Sequence, residues 1–309
     1  MENRALDPSL IAEQFRRKFR GHENLVTFAR LTNWLKFFDT QDLPLAEKML
    51  KKLRIISMSE LQSTMKARLS EALKKAKGMD LLLAAPIPTK RECSAQTIRD
   101  WFDDYLSDRN WDLVSTPTPY LHEYLKDNQR LVTSLAFNDF SEAFPDKPFT
   151  KLALFDDWAI RGSFIKKHAW PYIHHLKMLS KHVDVISTFG YMTNLSLKRF
   201  NDLKSEGVNV HVSRNISWNL INDLSKDFSL QEIRRMNEYA IYSEGRTYVD
   251  PSDILTVSDL SCTDSLVTLL LYETKKNGIR NERLVFHPRW GPNWGEKVAT
   301  DFGPTDNNT

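Results

Sequence analysis

Glycine is scarce. The chain has 309 residues and only ten glycines, about half of the roughly 7% usual in globular proteins. The fingerprints that wrap phosphates in glycine-rich backbone, G-x-G-x-x-G and G-x-x-x-x-G-K-[ST], occur nowhere, which argues against dinucleotide-binding and P-loop architectures. Cysteine is scarcer still. Cys93 and Cys262 stand far apart and form no C-x-x-C, so a disulfide framework and a cysteine-based structural zinc site are both excluded and a reduced, cytoplasmic setting is expected. No apolar run approaches the roughly 20 residues of a membrane span, so no membrane partner is expected. The opening MENRALDPSLIAEQF lacks the apolar core of a signal peptide.

What is present is ordinary for a folded chain: 41% apolar, 27% charged and 11% aromatic residues, with eight tryptophans. The net charge of +3 is unevenly spread. Residues 1–77 hold 16 Lys and Arg against 9 Asp and Glu, and the remainder holds 27 against 31. A basic front suits nucleic acid or an acidic protein partner. Its cations are nevertheless interleaved with acids, as on a solvated helical surface.

Residues 1–78 read as a helical lead packed on the core. Leu25, Phe28, Leu31, Leu35 and Phe38 recur at helical spacing, as do Ala46, Met49, Leu50 and Leu53 behind Asp39 and Asp42. Ser59 is expected to cap a further helix, whose apolar face is Leu61, Met65, Leu69 and Leu73 and whose end is marked by Lys74, Lys75, Lys77 and Gly78. Residues 79–298 change pattern. Short apolar runs at Met79–Ala85, Lys151–Phe155, Val183–Phe189, Val208–Val212 and Leu266–Tyr272 read as strands. Helical stretches near Ile98–Leu106, Asn194–Glu206 and Leu230–Ile241 lie among them. The alternation predicts an α/β domain with a largely parallel sheet and flanking helices. Residues 299–309 read as a loose tail.

The most informative segment is KLALFDDWAIRGSFIKKHAW, residues 151–170. An apolar strand ends in Asp156 and Asp157, and Arg161, Gly162 and Ser163 lead into a helix. Ligands of open α/β sheets sit beyond the carboxyl ends of the strands. Two carboxylates there suit the vicinal hydroxyls of a sugar. A helix start suits a phosphate, and a glycine allows its close approach. An acidic pair before a helix also serves as a simple cap. His168, His174 and His175 have spacings that favour helix surface over a metal site.

Strand–Asp–Asp followed by a hydroxyl- and glycine-bearing turn resembles the ribose-phosphate site of the type I phosphoribosyltransferases. Over residues 30–290 the chain more narrowly resembles the divergent phosphoribosyltransferase-like proteins of bacterial conflict systems, some of them retron-associated. Trp34, Phe37, Ala46, Leu50 and Ile55 carry that likeness in the lead, LLLAAPIPTKR in the first strand and loop, and Asn277 and Trp290 near the end. The resemblance implies that Asp156 and Asp157 hold ribose hydroxyls and that Arg161, Gly162 and Ser163 hold the 5-phosphate. It assigns Thr89, Lys90 and Arg91 to a pyrophosphate, with Mg²⁺ bridging pyrophosphate and ribose oxygens. The implied ligand is phosphoribosyl pyrophosphate or a nucleotide. The implied role is an effector or accessory protein of an anti-phage system, with the basic lead contacting a protein or nucleic-acid partner. Arg161 replaces the usual Thr or Ser, and Thr89–Arg91 lie in a loop without glycine. Those departures leave two other readings open: a non-catalytic nucleotide sensor, and a nucleoside hydrolase using one of the aspartates.

Overall fold

Short apolar runs bounded by polar turns become parallel strands in the computed structural model. It describes residues 7–22, 25–76, 81–84, 94–107, 112–114, 131–134, 149–180, 182–213, 216–243, 248–260, 266–276, 279–281 and 284–285. In chain order the strands are β1 (Arg54–Ile56), β2 (Leu81–Ala84), β3 (Asp112–Val114), β4 (Leu131–Ser134), β5 (Lys151–Leu154), β6 (Trp158–Ala159), β7 (Asp184–Ser187), β8 (Tyr191–Thr193), β9 (Asn209–His211), β10 (Leu220–Ile221), β11 (Thr256–Ser258), β12 (Thr274–Lys276) and β13 (Ile279–Asn281).

Six of these form one sheet in the order β3-β4-β2-β5-β7-β9, with every neighbouring pair parallel. Leu81, Leu82, Leu83, Leu152, Ala153 and Val185 are fully buried whichever face they point to. A sheet covered on both sides needs continuous apolar strands rather than alternating ones. The chain leaves β2 towards β3 and β4 on one side and returns to β5 on the other. The strand order therefore reverses between β2 and β5. Helices Ser94–Ser107, Ser163–Leu179 and Asn194–Asn201 lie in the connections that follow β2, β5 and β7. A second parallel ribbon, β10-β8-β6, is built from β6 and β8, which lie just beyond β5 and β7, and from β10, which follows β9.

Two compact units result. One is Ser59–Ile221 and holds the six-stranded sheet. The other joins residues 1–58 to 222–309. In this second unit β1 pairs in parallel with β11, and Trp34 donates its indole N–H to the carbonyl of Leu269 at 2.7 Å. The helical lead is thus divided. Its first helices share a core with Leu224, Ile233, Met236 and Leu269–Leu271, whereas Ser59–Ala76 belongs with the sheet. Along the sequence, the first boundary between the units lies between Met58 and Ser59.

Two expected elements differ. Leu266–Tyr272 is not a strand: Leu266 makes a single bridge to Ile254, and Thr268–Leu271 forms one helical turn. All four residues of the turn are buried. A short run apolar on every side carries no period from which helix and strand can be told apart. Ser59 does not cap its helix, which begins at Met58; the Met58 N–H donates to the carboxylate of Asp259 at 3.2 Å. Ser59 is the second residue of the helix rather than the one before it.

The second unit is closed by Asp42, which is 8% exposed. Arg235 donates to its two oxygens at 2.8 and 2.5 Å, and the Tyr239 hydroxyl donates at 2.6 Å. The Arg235 guanidinium holds the Asp42 carboxyl below its ordinary range, against the opposing pull of burial. The pair's contribution is therefore complete above the unfolded carboxyl value of about 3.9. It is lost as pH falls through the lowered folded value. Asp42→Asn is expected to cost about 1–3 kcal/mol at neutral pH. The difference from wild type should shrink in acid, as measured by urea unfolding from pH 7 down to pH 3.

Candidate functional site

The carboxyl end of β5 is held by backbone before any side chain acts. Phe155 N–H donates to Ala84 O at 2.9 Å, which joins the tip of β5 to the tip of β2. On the other side Gly190 N–H donates to Asp156 O and Tyr191 N–H to Asp157 O, both at 3.0 Å. Gly190 is required at this approach: a Cβ there would lie 2.9 Å from Asp157 O and 3.0 Å from Met65 Sδ. Asp156 and Asp157 are thereby fixed at the reversal point between β2 and β5, where open α/β sheets bind ligands.

The two carboxylates share one donor that sequence reasoning missed. Ser94 opens helix Ser94–Ser107, and its hydroxyl donates to Asp157 Oδ1 at 2.7 Å with Asp156 Oδ1 at 3.2 Å. Asp157 Oδ1 also accepts from Trp158 N–H at 3.1 Å, and Asp156 Oδ1 from Asp157 N–H at 2.9 Å. Asp157 is 2% exposed. Burial, and then the neighbouring Asp157 charge, raise the Asp156 carboxyl well above its ordinary range. Two carboxylates side by side with little water cannot both ionise freely. A cation, or the hydroxyls of a diol, relieves that repulsion. The sequence signal for Ser94 was its place as a hydroxyl just before the apolar run Ile98–Leu106. Its contact with the acids is purely tertiary.

Past β6 the chain reaches Arg161, Gly162 and Ser163. Gly162 is left-handed, at φ +67°, and caps the start of helix Ser163–Leu179. A Cβ on it would lie 3.0 Å from Cβ and Cδ of Arg199 and 3.1 Å from Cα of Ser196. Helix Asn194–Asn201 therefore fills the space beside it. Glycine is demanded here by backbone conformation and helix packing, whatever the position binds. Arg199 Nη1 donates to Arg161 O at 2.5 Å, locking this turn to the same helix. Ser163 is the first helical residue.

Thr89, Lys90 and Arg91 fall outside the described residues, as does Cys93. The segment that carries them joins Ala84 to Ser94, and both of those ends lie at the acidic tip. For Mg²⁺, the aspartate pair offers hard oxygen donors, and among the described residues no group of three His, Cys, Asp or Glu adds to it. That donor set fits a Mg²⁺ taking its remaining ligands from phosphate and water. In the basic lead, Lys48, Lys51 and Lys52 are each ion-paired, to Glu232, Glu47 and Asp227 at 2.7, 2.7 and 2.6 Å. Lys18 donates to the carbonyls of Leu50 and Lys51.

Two outcomes follow from this geometry. Gly162→Ala should destabilise by about 2 kcal/mol or more, from the left-handed backbone and the contact with Arg199. The denaturant midpoint should fall with its slope unchanged. Asp157→Asn should bring the Asp156 carboxyl back down towards its ordinary range, because one of the causes of its rise is removed. Carboxyl-carbon NMR titration of both proteins reads that shift.

No protein-family model, no curated protein and no solved structure matches this chain.

Proposed function

We propose that the chain is a divergent phosphoribosyltransferase-like protein whose acidic tip binds the ribose hydroxyls of a phosphoribosyl ligand, phosphoribosyl pyrophosphate or a nucleotide. The observation that carries this reading is the Asp156–Asp157 pair at the reversal point of a parallel sheet, with a hydroxyl already bonded to both carboxylates. A sugar hydroxyl is the same donor as the Ser94 hydroxyl that stands there. Arg161 and the start of helix Ser163–Leu179 supply positive charge for a 5-phosphate.

The chemistry of such a site is the displacement of pyrophosphate from the anomeric carbon by a nucleophilic base. Mg²⁺, when bound, neutralises the charge of the leaving group. Asp156 and Asp157 orient the ribose. Lys90 and Arg91 are the chain's cations for the pyrophosphate. Among the described residues no side chain beside the acidic pair acts as a general base, which suits catalysis by positioning and charge. The reading as a non-catalytic sensor draws support from Gly162, whose glycine is accounted for by its left-handed backbone and its packing against Arg199. The role in anti-phage defence, with a protein or nucleic-acid partner on the basic lead, rests on the resemblance. Arg17, Arg20, Lys36 and Lys74 are exposed cations of that lead.

Binding of phosphoribosyl pyrophosphate with Mg²⁺ should raise the melting temperature, as mass action requires, by about 2.7 kcal/mol of stability at a hundredfold excess over Kd. Asp157→Asn should weaken binding about tenfold or more, since a charge-assisted hydrogen bond contributes about 1.5–3 kcal/mol. Absence of binding by phosphoribosyl pyrophosphate, ribose 5-phosphate and nucleotides alike would overturn the reading. Pyrophosphate release in the presence of nucleobases separates the transferase from the sensor.

A further inference from the structure

The unit that joins the two ends of the chain holds an aromatic and acidic box around one ammonium. Lys276 Nζ lies 4.7 Å from the ring centre of Tyr239, 5.9 Å from that of Tyr242 and 6.0 Å from that of Phe37. Both carboxylate oxygens of Asp39 accept from it at 3.1 Å. Three rings and a carboxylate around a cation are the chemistry of an ammonium receptor.

The walls of this box are fixed without Lys276. Tyr239 is 2% exposed, and its hydroxyl is held by Asp42, itself gripped at two points by Arg235. Phe37 packs against Tyr239 with ring centres 5.6 Å apart, and Phe38 against Tyr239 at 4.8 Å. Asp39 is placed by its own backbone N–H, which donates to the Tyr239 hydroxyl at 3.1 Å. The element carrying Lys276 is short. It is the two-stranded antiparallel β12–β13 hairpin, with three paired positions, and a lone hairpin is marginal in water. One further described backbone bond ties it down, from Lys275 N–H to Tyr242 O at 2.8 Å. Asp39 is 55% exposed along its side chain, so the acidic wall of the box opens to solvent.

We propose that Phe37, Asp39, Tyr239 and Tyr242 form a preformed binding site for a primary alkylammonium, and that Lys276 occupies it as an internal ligand on a releasable hairpin. An external ammonium of sufficient local concentration takes the place of Lys276 and frees the hairpin. A lysine side chain of another protein and a free polyamine present the same group. The site is independent of the aspartate pair of β5, and its test does not depend on a phosphoribosyl ligand.

The full chain and its Lys276→Ala variant are titrated with n-butylammonium chloride, against sodium chloride of equal ionic strength. Putrescine and Nα-acetyl-lysine methylamide run as parallel arms. The variant should show a saturable rise in melting temperature with n-butylammonium, absent from Lys276→Ala combined with Tyr239→Leu. Wild type should respond only at about tenfold higher concentration or more, because its site is already filled. A response to putrescine or to the lysine analogue assigns the source of the ammonium. No ammonium-specific stabilisation of a folded variant overturns the proposal. Should the variant not fold, hydrogen exchange at the Lys275 amide of wild type decides: n-butylammonium should accelerate it by displacing the hairpin, and an unchanged rate overturns the proposal.

Discussion

The parallel pairing of β2 with β5 is the constraint on which the candidate site depends. Leu81 stands opposite Lys151 and Ala84 opposite Leu154, so the two strands end together. The connection after β2 and the acidic pair after β5 then emerge at one edge of the sheet. The register is fixed at the strand tips, where Phe155 N–H donates to Ala84 O at 2.9 Å. From this pairing follow the reversal of strand order and the approach of Ser94 to Asp156 and Asp157. Gly190 completes the arrangement from the other side, by letting the turn after β7 press against the backbone of the acids.

The second unit shows a different way of closing a fold. Its core combines residues from the first 58 positions with residues beyond 221. A linked set of polar groups, Arg235–Asp42–Tyr239–Asp39–Lys276, reaches from a helix through a turn to a hairpin. Asp42 is the centre of that set, because it satisfies a guanidinium and a phenol at once while being nearly buried. A carboxylate in that position must be fully bonded to be tolerated. The same residues fix the rings around Lys276, so core packing and the ammonium box are one construction. The basic character of the lead has a related explanation. Lys48 and Lys52 reach Glu232 and Asp227, acids of the later part of the chain, so part of the lead's positive charge is paired within one unit.

Legibility in the sequence tracked periodicity. The runs that became β2, β5, β7 and β9 were apolar, short and bounded by polar turns, and the helix over Leu230–Ala240 carries a Ser229–Glu232 capping box that its sequence announces. Leu266–Tyr272 misled because it is apolar throughout. Ser59 misled because the helix starts one residue earlier, at Met58. At the candidate site the strand-to-helix pattern puts Asp156 and Asp157 just past a strand and Gly162 at a helix start, which is where they stand in the chain's elements. Ser94 was not singled out, since nothing local distinguishes a capping serine from one that bridges two carboxylates.

Glycine scarcity began as an argument against phosphate-cradling loops, and the sequence by itself determined that much, together with the α/β class and the acidic strand tip. Composition and period are properties of single segments, and segments suffice for them. Only the tertiary structure decided why the few glycines stand where they do. Gly190 allows two backbones to touch, and Gly162 takes a left-handed turn beneath the Arg199 side chain. It also decided that the acids share a serine and that residues within 11–53 and 224–285 build one core. These depend on strand order and on which helix packs where, and burial of apolar surface, which is not directional, sets such choices through the whole chain at once rather than through any one stretch of it.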